Sequence, residues 1–285
     1  MDKQDVIVEL RKLGSELKHV PSKRASNSLN YYAKKNFGSW NTALKAAGFS
    51  TKTVQKAKLP KVSADLYYFL GLLYTDGHVV WREEKRDYQI QIYTSYSEEL
   101  NLIKNLFKKL FDYKPFIRKR KMGFNVKPNY SIHMCSKSVI EYLMQECGLF
   151  LGKKAKRIYL PKFSSKKYFW HFLRGVIDGD GCVGDGVTIF SASKKFLLEI
   201  AKFLQLCGFE TSSLYERHRK SVTYSLPIRG YTNLEKLYNI LYKDAEFFYP
   251  RKKIALELLL KSFKIPNQSL AQSRPSSLIE RARLS

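Results

Sequence analysis

The chain is 285 residues long and 44% hydrophobic, with 51 Lys plus Arg against 25 Asp plus Glu and a formal charge of +26. The apolar fraction is enough to build real cores, which excludes a disordered chain, and the length allows one large domain or two to three small ones. Such a charge excess is typical of chains that neutralise phosphates and makes nucleic acid the first partner to consider; an anionic membrane surface would instead favour one basic amphipathic helix. Cys135, Cys147, Cys182 and Cys207 form no C-x-x-C pair, so neither a zinc site nor a disulfide framework is suggested. No apolar signal core opens the sequence and no long apolar window follows, which predicts an intracellular protein without a membrane span.

In chain order, Val6, Leu10, Leu13 and Leu17, then Leu29, Tyr32 and Ala33, then Ala43, Leu44 and Ala47 follow helical spacing, predicting an all-α module of three helices over residues 1–50. Residues 51–62 are polar, basic and interrupted by Pro60, and read as a linker. Two similar segments follow about a hundred residues apart, DLYYFLGLLYTDGHV and FWHFLRGVIDGDGCV, marking an internal duplication. After each copy come an alternating strand (YQIQIYTS, VTIFSAS), a helix, a basic strand pair and a closing helix. The predicted class is therefore α+β: an αββαββα unit at 63–165, a second at 166–265, and a tail at 266–285 that has no core pattern and is expected to be flexible.

Gly71 and Thr75 in the first copy, and Gly175 and Gly179 in the second, are spaced four apart on one helical face. Glycine inside a helix costs about 1 kcal/mol against alanine, so it needs a compensating gain, and close approach of two helix backbones is one. Asp76 and Asp180 follow these small residues directly, each with a glycine after it. Paired carboxylates at helix C-termini repel each other and the helix dipole, so a cation is expected to hold them. Hard oxygen ligands favour Mg²⁺ (or Mn²⁺), which predicts metal-assisted hydrolysis of phosphodiesters.

The segments Phe69–Gly77 (FLGLLYTDG) and Leu173–Gly181 (LRGVIDGDG) resemble the LAGLIDADG motif, and the duplication resembles a two-repeat, monomeric LAGLIDADG homing endonuclease over about Ser63–Phe263. The resemblance implies two antiparallel saddle sheets over a long, asymmetric double-stranded DNA site, with Asp76 and Asp180 as metal-binding catalytic acids. It also implies that the carbonyls of Thr75 and Gly179 complete the metal sites, and that cleavage leaves 3′ overhangs. A basic residue near each site is offered by Lys154 or Lys153 in the first copy and Lys252 or Lys253 in the second; Lys154 and Lys252 are preferred. Thr94 and Ser191 stand where the family often has a water-ordering side chain. Two departures from the motif are Tyr74 in place of its first acid, which Asp178 keeps in copy two, and Leu70 and Arg174 in place of its small second residue.

Strand alternation turns Gln89, Gln91 and Tyr93 toward DNA, and Tyr215, Arg217 and Arg219 likewise. In PFIRKRKM polarity alone leaves the face open, and the family register gives Arg118 and Arg120. Arginines suit bidentate contacts to guanine in the major groove. Asn36–Phe49 resembles the helical repeat that accompanies homing endonucleases, with Trp40, Phe37 and Phe49 as its core and Lys34, Lys35 and Lys45 as phosphate contacts. The leading reading is a site-specific, intron-encoded DNA endonuclease, located wherever the host DNA is. The alternatives are an intron RNA maturase and a catalytically inactive DNA-binding regulator on the same fold. An intein is not expected, since no splicing residues frame the chain.

Overall fold

The computed structural model describes residues 1–51, 55–120, 129–149, 151, 157–218 and 222–264. It divides into two compact units, Met1–Gln55 and Lys56–Ser285. The first unit is all-helical: α1 (Lys3–Leu17), α2 (Asn27–Phe37) and α3 (Trp40–Ala46). Asp2 and Asp5 exchange hydrogen bonds with each other's backbone at the start of α1, while Ser26 and Ser39 cap α2 and α3, so each helix begins on a side chain that satisfies an orphan N–H. Val6, Leu10, Leu29, Ala33, Trp40, Ala43, Leu44 and Ala47 form the core, with Phe37 and Phe49 against its edge. The Trp40 indole N–H donates to the Pro21 carbonyl at 3.2 Å. Lys34, Lys35 and Lys45 are exposed, all in the last turns of their helices, where the dipole also favours them.

The second unit begins inside the segment read as a linker. There the Lys58 N–H donates to the Phe111 carbonyl at 2.8 Å and Ala57 packs on the core. Two matching runs follow: α4 (Ala64–Tyr74), β1 (Gly77–Arg82), β2 (Asp87–Thr94), α5 (Ser97–Phe111), β3 (Phe116–Arg120), β4 (Asn129–Cys135) and α6 (Lys137–Cys147); then α7 (Lys167–Asp180), β5 (Gly181–Val183), β6 (Val187–Ser191), α8 (Lys194–Leu206), β7 (Tyr215–His218), β8 (Val222–Ile228) and α9 (Tyr231–Leu241). The strands form two antiparallel four-stranded sheets, ordered β1-β2-β4-β3 and β5-β6-β8-β7. A further helix, α10 (Pro250–Ser262), lies beyond the predicted pattern. Pro250 at its first turn fits the start of a helix, but Ile254 and Leu258 are exposed, so its sequence has no clean apolar stripe to announce it.

Each sheet buries one face. In the first, Ile90, Ile92, Ile132 and Met134 are fully buried, together with Ile103, Phe107, Ile140 and Leu143 of α5 and α6; in the second Val187, Ile189, Leu226 and Ile228 play the same part. The opposite face of the first sheet carries Gln89, Gln91, Tyr93 and Arg118, and that of the second Tyr215 and Arg217. Among the described residues no helix is long and apolar enough to cross a membrane.

Candidate active site at the paired helix ends

α4 and α7 pack backbone to backbone. A Cβ on Gly71 would overlap the Phe172 carbonyl and stand 2.7 Å from the Gly175 Cα; one on Gly175 would overlap the Tyr68 carbonyl and stand 2.9 Å from the Gly71 Cα. One helical turn on, a Cβ on Gly179 would collide with the Thr75 side chain and stand 3.2 Å from Asp76 Oδ2. The small residues thus let the helices touch and bring their acidic ends together. The two ends are not identical: α7 runs through Asp180, whereas α4 stops at Tyr74 and Asp76 lies beyond it. The Thr75 hydroxyl turns back to the Gly71 and Leu72 carbonyls, and the Asp76 carbonyl accepts from the Tyr93 N–H of β2 at 3.0 Å.

Burial pushes the Asp76 carboxyl up to about 7, helped by the charges of Asp180 and Glu99 and opposed by Arg251 and Lys252. Two carboxylates therefore meet where one resists ionising unless a cation compensates. Lys252 is buried, with its ammonium on the Gly181 carbonyl; burial and then Arg251 lower its pKa, while Asp178, Cys182 and Asp76 draw it back up. Lys253 instead lies over the Phe248 ring at 4.7 Å, so of this pair Lys252 is the residue beside the acids. Lys154 and Lys153 lie outside the described residues.

Two charged residues at the site escaped the sequence reading. Glu99 of α5, 4% exposed at its side chain, receives the Arg251 Nε of α10 at 2.5 Å and the Thr94 hydroxyl at 2.5 Å. The Arg251 guanidinium also lies 4.7 Å from the Tyr96 ring. Arg251 directly precedes Lys252 in the basic run PRKK, which was the available signal; nothing local marks Glu99, whose counterpart beside Ser191 and Ser193 is the apolar Phe196. The Thr94 hydroxyl is directed to Glu99. The residue shares the inward parity of Ile90 and Ile92 and is buried. Ser191 likewise has inward parity and accepts from the Ser193 N–H at 3.1 Å. Breaking a buried pair leaves an uncompensated charge, so Arg251→Ala should lower stability by about 2–3 kcal/mol, its partial exposure discounting the full penalty. Urea midpoints for this variant and for the apolar double Glu99→Leu/Arg251→Met measure it; a double no more stable than the single change would refute the account.

The motif's departures have structural reasons. Asp178 is turned away from the site into the core, where Oδ2 accepts from the Tyr68 hydroxyl and the Tyr249 N–H, both at 2.8 Å, and Oδ1 from the Tyr242 hydroxyl at 2.7 Å. Burial raises it to about 6, against the pull of these bonds. In the matching place of the first repeat, Tyr74 sets its ring edge-on to Phe172 at 5.2 Å, so an apolar pair replaces the polar Asp178–Tyr68 pair. Buried Arg174 joins α7 to the carbonyls of Phe247 at 2.9 Å and Leu241 at 3.1 Å, a task no small residue performs.

On the sheets, registers Gln91↔His133↔Phe116 and Tyr93↔Ser131↔Arg118 put Arg118 on the face of Gln89, Gln91 and Tyr93, while Ile117 pairs with buried Ile132. This resolves the ambiguous strand. Arg120 pairs with Asn129 in the same register. Tyr215 and Arg217 occupy the outward face of the second sheet, with Arg217 5.7 Å from the Phe190 ring; Phe190 and Thr188 join that face unpredicted. Arg219 lies outside the described residues, as does the tail from 265.

Residues 1–50 match the family model described as homing endonuclease associated repeat, and residues 170–242 that described as LAGLIDADG-like domain. Among solved structures, the homing endonuclease I-WcaI bound to its DNA recognition sequence is 12% identical, with a TM-score of 0.51 over 74% of this chain and 96% of that one. I-DmoI in complex with DNA and Ca is 19% identical, with a TM-score of 0.50 over 68% of this chain and 97% of that one. The tRNA-splicing ligase RtcB of Pyrococcus furiosus is 28% identical over 130 residues, and the chain spans only 13% of that protein's length. With the motif on both central helices and a sheet attached to each, the second unit has the fold of the LAGLIDADG endonuclease structures and is similar to the LAGLIDADG-like domain over residues 170–242, while residues 1–50 are similar to the homing endonuclease associated repeat.

Proposed function

We propose that this protein is a site-specific DNA endonuclease that hydrolyses both strands of a long, asymmetric duplex site with Mg²⁺ or Mn²⁺ and leaves 3′ overhangs. It acts as a monomer, is intron-encoded, and works in the compartment of its host DNA. The observation that carries this reading is the delivery of Asp76 and Asp180 to one place, with Asp76 held near 7 by burial and like charge. That donor set fits a hard divalent ion: oxygen ligands only, and a charge conflict that a cation relieves. The chemistry such an ion supplies is polarisation of phosphate oxygens and acidification of water.

In this reading the two aspartates hold the ion, with the Thr75 and Gly179 carbonyls beside them. Lys252, dry and close to the acids, offsets negative charge developing on a phosphate, and Lys154 is its counterpart. The outward residues Gln89, Gln91, Tyr93, Arg118, Tyr215 and Arg217 contact the duplex, as do Arg120 and Arg219, and Lys34, Lys35 and Lys45 add contacts from the N-terminal module.

Selecting cleavable sites from a randomised duplex library with Mg²⁺ tests the reading directly; no cleaved sequence emerging while the protein remains folded would count against it. Binding should also carry the electrostatic signature of a long interface. With about eight phosphates neutralised, log K should fall with log salt at a slope near −7, and a slope shallower than about −3 on duplex DNA speaks against it.

A further inference from the structure

Four side chains of β2 share its outward face and join in one line. The Tyr93 hydroxyl donates to Gln91 Oε1 at 2.5 Å, Gln91 Nε2 to Gln89 Oε1 at 2.9 Å, and Gln89 Nε2 to Asp87 Oδ1 at 2.6 Å. Arg82 of β1 pairs with the other Asp87 oxygen. The direction of this line follows from its end. An ionised carboxylate only accepts hydrogen bonds, so Gln89 must turn its NH₂ to Asp87 and its carbonyl to Gln91. Gln91 must then donate to Gln89 and present its own carbonyl to Tyr93, whose hydroxyl accommodates either role. Each amide is left with one N–H and one oxygen lone pair, in a fixed order.

We propose that Asp87 is a specificity-positioning residue: by setting the orientation of the Gln89 and Gln91 amides, it makes each present an ordered donor–acceptor edge that fits adenine in the major groove. The inference rests on the DNA-binding reading above. A glutamine amide in the right order makes paired contacts to adenine N6 and N7, and the same amide flipped in place offers donor and acceptor in the wrong order. The device belongs to one half of the molecule. The matching outward positions of β6 are Thr188 and Phe190, which carry no amide.

Asp87→Asn tests this with almost no change of shape. Arg82 is purely a donor, so it claims the new amide oxygen and leaves the NH₂ toward Gln89, reversing the line. Sequences bound by the full chain would be selected from a randomised duplex library in Ca²⁺. The native protein should prefer adenine at two positions by about ten-fold or more. Asp87→Asn should lose both preferences while the remaining positions of the selected site stay as they were. Orientation is passed from Asp87 outward, so Gln89→Leu should erase the preference read by Gln91 as well as its own. Gln91→Leu should erase only its own. A merely structural strand would show no such polarity. Unchanged adenine preferences in Asp87→Asn, equal effects of the two leucine variants, or a native site with no adenine at these positions would each overturn the proposal while leaving DNA binding intact. A native protein that selects no sequence overturns the DNA reading and this inference together.

Discussion

Asparagine at position 180 or at position 76 is expected to lower DNA cleavage by several orders of magnitude while binding survives. The amide keeps the volume of the acid but withdraws the negative charge that a divalent ion requires, and it eases the repulsion between the two side chains. Binding to duplex DNA should be equal or tighter, because a negative charge facing the phosphates has been removed. Calcium, with longer bonds and looser geometry, should support binding by the native protein with little cutting. A side-by-side binding and cleavage assay in Mg²⁺, Ca²⁺ and EDTA decides the matter. Normal cutting by either variant, or cutting in EDTA, removes the two-carboxylate mechanism, and binding lost together with cleavage assigns these acids a structural role.

The same residue should leave a mark on stability. Asp76 titrates near 7 in the folded chain, well above its ordinary 3.8. Below pH 4 it is protonated in both folded and unfolded states and costs nothing. Between pH 4 and 7 the folded state holds a proton that the unfolded state has released, so its contribution to stability falls as pH rises and is lost above 7. Asp76→Asn should therefore match the native protein near pH 4 and exceed it at pH 8 in EDTA, by at most about 4 kcal/mol. Saturating Mg²⁺ should narrow the gap by stabilising the native protein alone. A gap that is independent of pH would show that the strain does not come from this carboxylate.

Gly71→Ala and Gly175→Ala are expected to be among the most damaging single-methyl changes in the molecule, each costing about 3 kcal/mol or more. At both positions the added carbon meets backbone of the opposite helix, Phe172 and Gly175 in one case and Tyr68 and Gly71 in the other, and backbone in a packed helix cannot swing aside as a side chain can. Relief requires α4 and α7 to separate, which also parts Asp76 from Asp180. Cleavage should thus fall further than the loss of folded protein accounts for. Gly184→Ala is the control, since nothing stands within 4 Å of its added carbon, and it should be near neutral. Urea titration of the three variants gives the comparison; a Gly175→Ala protein within about 1 kcal/mol of native would mean the helices have room to spare.

The sequence by itself determined the duplication, the class of each paired element, the close-packed glycines and the two acids, because all of these are written in local periodicity or in a short motif. It also contained the inward parity of Thr94, in step with Ile90 and Ile92, although the family resemblance pointed to a role at the site. The face of β3 was not legible: FIRKR alternates without a consistent apolar side, and only pairing with β4, Ile117 against Ile132, fixed it. Tertiary structure alone decided the rest of the site. Arg251 and Glu99 are 152 residues apart in the chain and come together because α10 of the second repeat returns to α5 of the first. Asp178, one of three similar acids by sequence, became a core residue because the hydroxyls of Tyr68 and Tyr242 and the N–H of Tyr249 converge on it from outside its own helix. Periodicity reports which side of an element is buried; which charges meet there depends on how the repeats dock, and that is settled by the fit of α4 against α7.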